Sequence, residues 1–518
     1  RIRIPVVIAA LLIRMSRLRA EPFPTSSEIL SVIDGGAGSK FTDTTPVQAF
    51  YEARGFAPAW SEANIDVALE ALTRADRDGL NPSDYAMLAA PSLAQRDILI
   101  TAAVLSYMRD LRVGRARLRS LDPDIELAAQ DFDTAAALTA ALKSQTLALA
   151  MAAQAPPQPD YARLRTALSF CRNVITAGGW GALPGGGPAD FASGTPGAQL
   201  LRHRLQYEDP TMSASTDLTD AVERFQVRHG LIPDGRVGEK TLAALNVPAT
   251  GREMQVVSNM ERWRWVPRTF ESSFIAINVP DAHLTLTLDG RKVLDSVVVV
   301  GRPHDPTPIL RTEGAGVTVN PPWNVPASIA RREILPKLKA NPSYLLSQDM
   351  ILVDGPPGDP HGLHINWRAI PSGTFPYRVQ QHPGAENSLG TIKIELPNRF
   401  DVYLHDTPAK GAFALPARDI SHGCVRVQQI LPLASYALAV NLDAIAAINK
   451  DIAAGETKYL PLPRRLPVYF LYWTAFGAAD GTLQFRPDIY GRDQRLIAAL
   501  QGPLAQRVSA NSVKCMRG

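Results

Sequence analysis

The spacing of apolar residues changes near residue 272, and that change constrains the fold more than any other feature of the chain. Upstream, apolar residues return every three or four positions, as in Val67-Ala68-Leu69-Glu70-Ala71-Leu72 and from Ile98 to Met108, which predicts amphipathic helices. Asn81-Pro82-Ser83-Asp84 predicts a turn and a helix start between two of them. Downstream the period is two. His283-Leu284-Thr285-Leu286-Thr287-Leu288 alternates, Asp289-Gly290 supplies a tight turn, and Val293 to Val300 follows, which together predict a hairpin. Thr391 to Leu396 and Asp401 to His405 form a second pair around Pro397-Asn398. A chain of 518 residues with both periods is expected to be multi-domain α+β, because one core rarely grows that large.

Composition shifts divide it further. Arg1-Ile2-Arg3 precedes an apolar run from Ile4 to Ile13, and Arg14, Arg17 and Arg19 follow. Residues 1–20 therefore have the pattern of a signal or anchor segment, too short for a comfortable membrane span. Export to the periplasm is expected, with the segment cleaved or kept as a weak membrane tether. Residues 44–190 read as a helical scaffold domain. Residues 196–248 read as a small helical unit, in which Leu218, Val222 and Phe225 share one helix face, His229-Gly230 ends that helix and Asp234-Gly235 makes a turn. Residues 272–495 read as a β-rich domain closed by Val468 to Trp473 and a loop at 486–491. It is interrupted at 326–378 by a helical piece (Ile329 to Leu338) and a Pro/Gly loop, an insertion expected to act as a lid. Residues 496–518 read as a tail.

A net charge of +4, with no arginine-rich helix and no stacking aromatics, excludes a nucleic-acid partner. Of three cysteines, Cys171 sits in an apolar helical stretch and reads as a small buried hydrophobe, and Cys515 carries no argument. Cys424 differs. It follows Gly423 and precedes Val427, Ile430, Leu431, Ala434 and Leu438, which share a helical face, so the thiol is expected near a helix N-terminus. A thiol nucleophile needs a base. His405, at a strand end, is preferred over His422, which is expected to hold the loop, and a backbone carbonyl just after His405 could orient it. Arg426 could pair with a substrate carboxylate. His361 and His364 have HxxH spacing but no third ligand in register, so no metal and no cofactor are expected.

His405, fifteen intervening residues and then Ser421-His422-Gly423-Cys424-Val425-Arg426 resemble the signature of the YkuD-type L,D-transpeptidases. Ala221 to Gly238 resembles the small helical peptidoglycan-binding module of wall enzymes. The layout, with Tyr403-Leu404-His405-Asp406-Thr407-Pro408 and Asn320-Pro321-Pro322-Trp323, is similar to the large Gram-negative members of YcbB type over roughly residues 44 to 495. The resemblance implies a helical scaffold domain, a three-helix peptidoglycan-binding domain and a β-rich catalytic domain with a capping insertion. It implies that Cys424 attacks the third residue of a tetrapeptide stem, that His405 moves the proton, and that the N–H groups of Gly423 and Cys424 hold the oxyanion. Trp323 and Tyr403, with Ser421, His422 and Arg426, are then expected around the substrate. The thioester would pass to another stem, giving a 3→3 cross-link, with peptidoglycan as the partner. Water or a D-amino acid as acceptor would make the same acyl-enzyme an L,D-carboxypeptidase or an exchange enzyme. The reading of another class is a non-catalytic wall-binding scaffold.

Overall fold

The computed structural model describes residues 23–35, 45–86, 90–128, 130–185, 187–192, 194–209, 211–213, 215–438, 442–478 and 480–502. The amino-terminal apolar segment and Cys515 lie outside these. Among the described residues no helix is long and apolar enough to cross a membrane. The chain divides into two compact units, one drawn mainly from residues up to 115 with 130–157, the other from 116–129 and 158–500.

The first unit is helical: α1 (Ser26–Asp34), α2 (Thr45–Glu52), α3 (Glu62–Thr73), α4 (Leu93–Val113), α5 (Thr134–Lys143) and α6 (Leu147–Ala152). Ser61 and Ser92 cap α3 and α4 through their side chains. Helix α4 is buried on most of its faces, including Ile98, Ile100, Val104, Met108 and Leu111. Its buried polar groups are partnered: Tyr51 Oη donates to Asp97 at 2.5 Å and Trp60 Nε1 donates to Thr101 at 2.8 Å.

The stretch expected as one helical scaffold is divided between the units. In the second unit β1 (Ile125–Glu126) joins a sheet, and α7 (Pro159–Thr176) packs on α11 (Ala249–Trp263). The reason is where apolar surface finds cover. Ile125 enters the sheet core, and Arg264, just past the end of α11, donates to Tyr161 Oη on α7 at 2.9 Å. Cys171 on α7 is buried, and burial pushes its thiol up to about 12.

The small helical module comprises α8 (Pro196–Gln206), α9 (Leu218–Arg228) and α10 (Glu239–Leu245), followed by α11 (Ala249–Trp263). Leu201, Leu205, Val222, Phe225 and Leu245 form its core. Gln226 organises the Asp234-Gly235 turn: its Nε2 donates to Asp234 and the Arg236 carbonyl, and its Oε1 accepts from the Gly235 N–H. The module is docked by buried contacts. His229 stacks between Phe225 and Phe485, and Arg486 Nη1 donates to the Arg228 carbonyl at 3.0 Å. His229 Nδ1 accepts from Arg252 at 3.1 Å, so the proton sits on Nε2, which donates to Glu208 at 2.7 Å.

The period-two half forms a closed ring. Strands β2 (Phe274–Asn278), β3 (His283–Leu288), β4 (Arg291–Gly301), β5 (Ile309–Val319), β9 (Ile392–Glu395), β10 (Leu404–His405), β12 (Val425–Val427) and β13 (Lys458–Leu471) pair in the order β5-β13-β2-β3-β4-β12-β10-β9, and β9 pairs back on β5. Alternate residues, among them Ile275, Leu284, Leu286, Val298, Val317, Ile394, Leu404, Val425 and Phe470, fill the interior. At the β3–β4 turn Asp289 and Gly290 both have positive φ, +48° and +77°, as the two-residue hairpin requires. β13 is a member of the ring, parallel to β2 and antiparallel to β5. The expected tail is partly core: a helix at Arg492–Gln501 buries Leu496 completely, with Leu500 one turn on against the same cluster.

The insertion has its own core and is wider than 326–378. β6 (Trp323–Asn324), β8 (Val379–Gln381) and β7 (Met350–Leu352) make a three-stranded sheet in that order. Against it lie α12 (Ala327–Ile329), a π-helical turn (Ala330–Ile334), α13 (Leu335–Ala340) and α14 (Tyr344–Ser347). Ile334, Leu335, Leu338, Leu345 and Trp367 bury their side chains there.

Burial pushes His229 down to about 4, against an unfolded value near 6.5. A depressed folded pKa means that the unfolded chain binds the proton first as pH falls. Stability is therefore whole above about 6.5 and declines towards 4, by up to ~3 kcal/mol. Urea unfolding at pH 7.5 and pH 5 is expected to show this loss, and His229→Gln to show a smaller one.

Candidate active site

Two very short strands position the site. β10 and β12 are parallel neighbours in register Leu404↔Val425 and His405↔Arg426. Leu404 and Val425 are fully buried in the ring interior. Because side chains alternate, Tyr403, His405, Cys424 and Arg426 share the opposite face. β9 extends the row, with Lys393 opposite His405. That face floors a cavity of about 850 Å³, whose far wall is the insertion. Trp323, Tyr403, His405, Ser421, His422, Cys424 and Arg426 all line it.

Cys424 does not begin a helix. It ends the bend between β11 (Asp419–Ser421) and β12, and α15 (Ile430–Ala437) starts six residues later. Val427 belongs to β12, because Val425-Arg426-Val427 alternates buried and half-buried against β4. The N-terminus of α15 is therefore not at the thiol. The bend itself is held by hydrogen bonds. Ser421 Oγ donates to the Cys424 carbonyl at 2.6 Å and accepts from the Gly423 N–H at 3.1 Å. Ser421 is thus buried and clamps the bend. The Gly423 N–H is engaged there and does not face the cavity, whereas the Cys424 N–H has no hydrogen-bond partner among the described residues. Gly423 has φ +113°, which only glycine adopts readily. Thr307 Oγ1 donates to the Gly423 carbonyl and accepts from the Gly301 N–H, both at 2.8 Å. Tyr490 Oη donates to the Gly301 carbonyl at 2.5 Å. A Cβ on Gly301 would come within 2.7 Å of Thr307 N and 3.0 Å of Gly423 Cα, so that strand must be bare where the bend crosses it.

His405 Nδ1 donates to the Asp406 carbonyl at 2.5 Å, leaving Nε2 as the basic nitrogen. Asp406 is itself anchored: its carboxylate accepts from the Thr391 N–H at 3.1 Å and from Lys410. Burial, then the Arg426 charge, push His405 down to about 3. Burial pushes Cys424 up to about 11, opposed by Tyr403, Lys393 and Arg426. Burial and the adjoining thiol raise Tyr403, so its hydroxyl stays protonated as a donor beside Sγ. The thiol donates to the Asp401 carbonyl at 3.6 Å. The resting pair is a neutral thiol and a neutral imidazole.

His422 points away from this pair. Its Nε2 donates to Glu333 on the π-helical turn of the insertion at 2.5 Å, and Glu333 also accepts from Arg302 at 2.8 Å. It therefore ties the bend to the cap. Arg426 is half-buried, has no carboxylate partner among the described residues, and leaves its Nε unbonded. Trp323 and Tyr403 are half-buried walls of the cavity. His361 Nδ1 donates to the Met350 carbonyl and His364 lies beside Asp359, both outside the cavity lining. The Asp406 carbonyl is the orienter expected just after His405, whereas Thr307, Tyr490, Glu333 and Lys393 were not legible as site residues. Only Lys393 carried a signal, since Lys393-Ile394-Glu395 alternates beside His405.

A thiol held this high reacts through a small thiolate fraction. Alkylation of Cys424 by iodoacetamide is expected to quicken about tenfold per pH unit from 7 to 9, with no acidic plateau. Peptide mass spectrometry of the modified site would detect the plateau that a preformed thiolate–imidazolium pair produces.

Residues 272–448 match the family model described as an L,D-transpeptidase catalytic domain, residues 198–245 a "Putative peptidoglycan binding domain", and residues 45–168 a scaffold domain. A "Putative L,D-transpeptidase" of Haemophilus influenzae is 34% identical over 242 residues, which cover 47% of this chain and 48% of that protein. The chain thus spans about half the length of the curated relative it matches. Among solved structures, L,D-transpeptidase 3 of Mycobacterium tuberculosis with a faropenem-derived adduct is 14% identical, covers 39% of this chain and 60% of that one, and has a TM-score of 0.19. An L,D-transpeptidase from Mycobacterium smegmatis is 11% identical, covers 38% and 58%, and has a TM-score of 0.19. At such scores the likeness carries no structural argument.

Proposed function

We propose that this protein is an L,D-transpeptidase of the periplasm that forms 3→3 cross-links in peptidoglycan through a thioester on Cys424. The observation that carries the reading is one face of the β10–β12 pair. It presents a thiol, an imidazole fixed through Nδ1, a protonated tyrosine hydroxyl and an unpaired guanidinium to a capped cavity of about 850 Å³, a volume suited to a peptide segment.

His405 Nε2 takes the thiol proton as Sγ attacks the carbonyl of the third stem residue. A neutral pair does this in one concerted step, which suits a base kept neutral by burial. The Cys424 N–H and the Tyr403 hydroxyl, which already lies against Sγ, are the donors beside the developing oxyanion. The tetrahedral species collapses, D-alanine leaves with the proton from His405, and the thioester remains. The amine of a second stem then attacks, the C–S bond breaks, and the thiol is restored. Arg426 meets a carboxylate of the donor stem. The docked helical module supports peptidoglycan as the polymer on which this happens.

A carbapenem is expected to acylate the purified protein, adding its mass at Cys424. Cys424→Ala should abolish the adduct, and His405→Ala should slow it at least ~100-fold. No adduct on wild type would remove the nucleophile assignment. Loss in His422→Ala with retention in His405→Ala would exchange the roles of the two histidines. Incubation with tetrapeptide muropeptides is expected to yield 3→3 dimers. Tripeptide alone would identify an L,D-carboxypeptidase instead.

A further inference from the structure

The charged side chains lining the cavity fall into two groups. Five are already satisfied by the fold. Asp305 accepts from Arg302 and Arg332, which accounts for Arg332 as well. Glu333 is shared by Arg302 and His422. Lys337 donates to Tyr344 Oη at 3.1 Å and lies over its ring. Lys393 pairs with Glu395 at 2.8 Å and lies 4.3 Å from the centre of the Tyr403 ring. Two are left over among the described residues, and both neighbour the thiol: Arg426 and Asp401. They carry opposite signs.

We infer that Asp401 is the recognition group for the incoming amine, and so selects amines over water as acceptors of the acyl group. This rests on the acyl-enzyme reading above. The carbonyl of Asp401 accepts from Sγ at 3.6 Å, which fixes the residue beside the nucleophile. Its carboxylate is exposed, carries no ion pair among the described residues, and lies near enough to the Tyr403 hydroxyl to help raise it. Its backbone has φ +53°, in the left-handed region that Asp and Asn tolerate. The loop is braced around it: Asn398 Oδ1 accepts from the Phe400 and Val402 N–H groups, and Asn398 Nδ2 donates to the Leu396 and Val402 carbonyls. The carboxylate is thus presented by a fixed loop rather than by a flexible arm.

The two reaction steps need opposite charges. The donor stem brings carboxylates, which Arg426 meets. The acceptor arrives as an ammonium, which Asp401 meets. One ammonium proton goes to solvent, and the neutral amine attacks the thioester carbon. The C–N bond forms, the C–S bond breaks, and the second amine proton passes through His405 to Sγ. Water gains nothing from a carboxylate that concentrates cations, so the ion pair biases the second step towards amide formation.

The test is Asp401→Asn, which keeps the shape and tolerates the same backbone. The full-length protein is acylated with tetrapeptide muropeptide and partitioned between cross-linked dimer and hydrolysed tripeptide. The dimer-to-tripeptide ratio is expected to fall about tenfold, with the acylation rate changing far less than the ratio. Hydroxylamine, an acceptor uncharged near neutral pH, provides the second readout: its capture of the acyl group should be much less sensitive to the substitution than capture by a primary amine. An unchanged ratio would overturn the inference, as would a rise, which would make Asp401 an activator of water. Equal losses with hydroxylamine and amine would reduce Asp401 to a loop support. Wild-type protein that acylates yet forms no dimer would defeat the transpeptidase reading itself, a different result from any of these.

Discussion

The site depends on a two-residue parallel pairing. Leu404 and Val425 hold β10 and β12 in register by filling the ring interior, and that burial turns Tyr403, His405, Cys424 and Arg426 outward together. Slipping the pairing by one residue would bring the polar set inward and the apolar pair out. So few hydrogen bonds cannot hold two strands this short by themselves. Ring closure through β9 and β5, with the packed interior, fixes them. The Thr307–Gly301–Tyr490 bonds then hold the bend that leads into β12.

Burial sets the chemistry as much as it sets the geometry. The same low-dielectric floor raises the thiol and lowers the imidazole, so neither carries charge at rest. The anion appears only when a carbonyl carbon is there to receive it, and the surrounding Tyr403, Lys393 and Arg426 favour it at that moment. A protected thiol of this kind resists adventitious oxidation and alkylation at the pH where it must wait for a polymer substrate.

The change of period near residue 272, the Asp289-Gly290 hairpin, the Asp234-Gly235 turn and the His405–Cys424 spacing were all legible in the sequence, because each is a local pattern with a local cause. The environment of Cys424 was misread for an equally local reason. Val427 fits both the alternation of β12 and the apolar face of α15, and the helical reading took it from the strand. Other features had no local sign. Ile125 and α7 leave the helical region for the second unit because their cover lies there. The carbonyl after His405 was expected as its orienter, but the Thr391 and Lys410 contacts that anchor Asp406 come from distant or ordinary residues. Thr307, Glu333 and Tyr490 are ordinary residue types, and only the folded chain brings them to the bend.

The π-helical turn at Ala330–Ile334 has a consequence for how the cap evolves. One surplus residue there breaks the phase between the two ends of the helix, so that Glu333 faces the bend while Leu335 and Leu338 remain in the cap core. A helix of uniform phase would have to choose between those two faces. A single-residue insertion or deletion turns the downstream part of a helix by about 100°, so here it acts as a discrete switch of which surface the cap shows to the thiol.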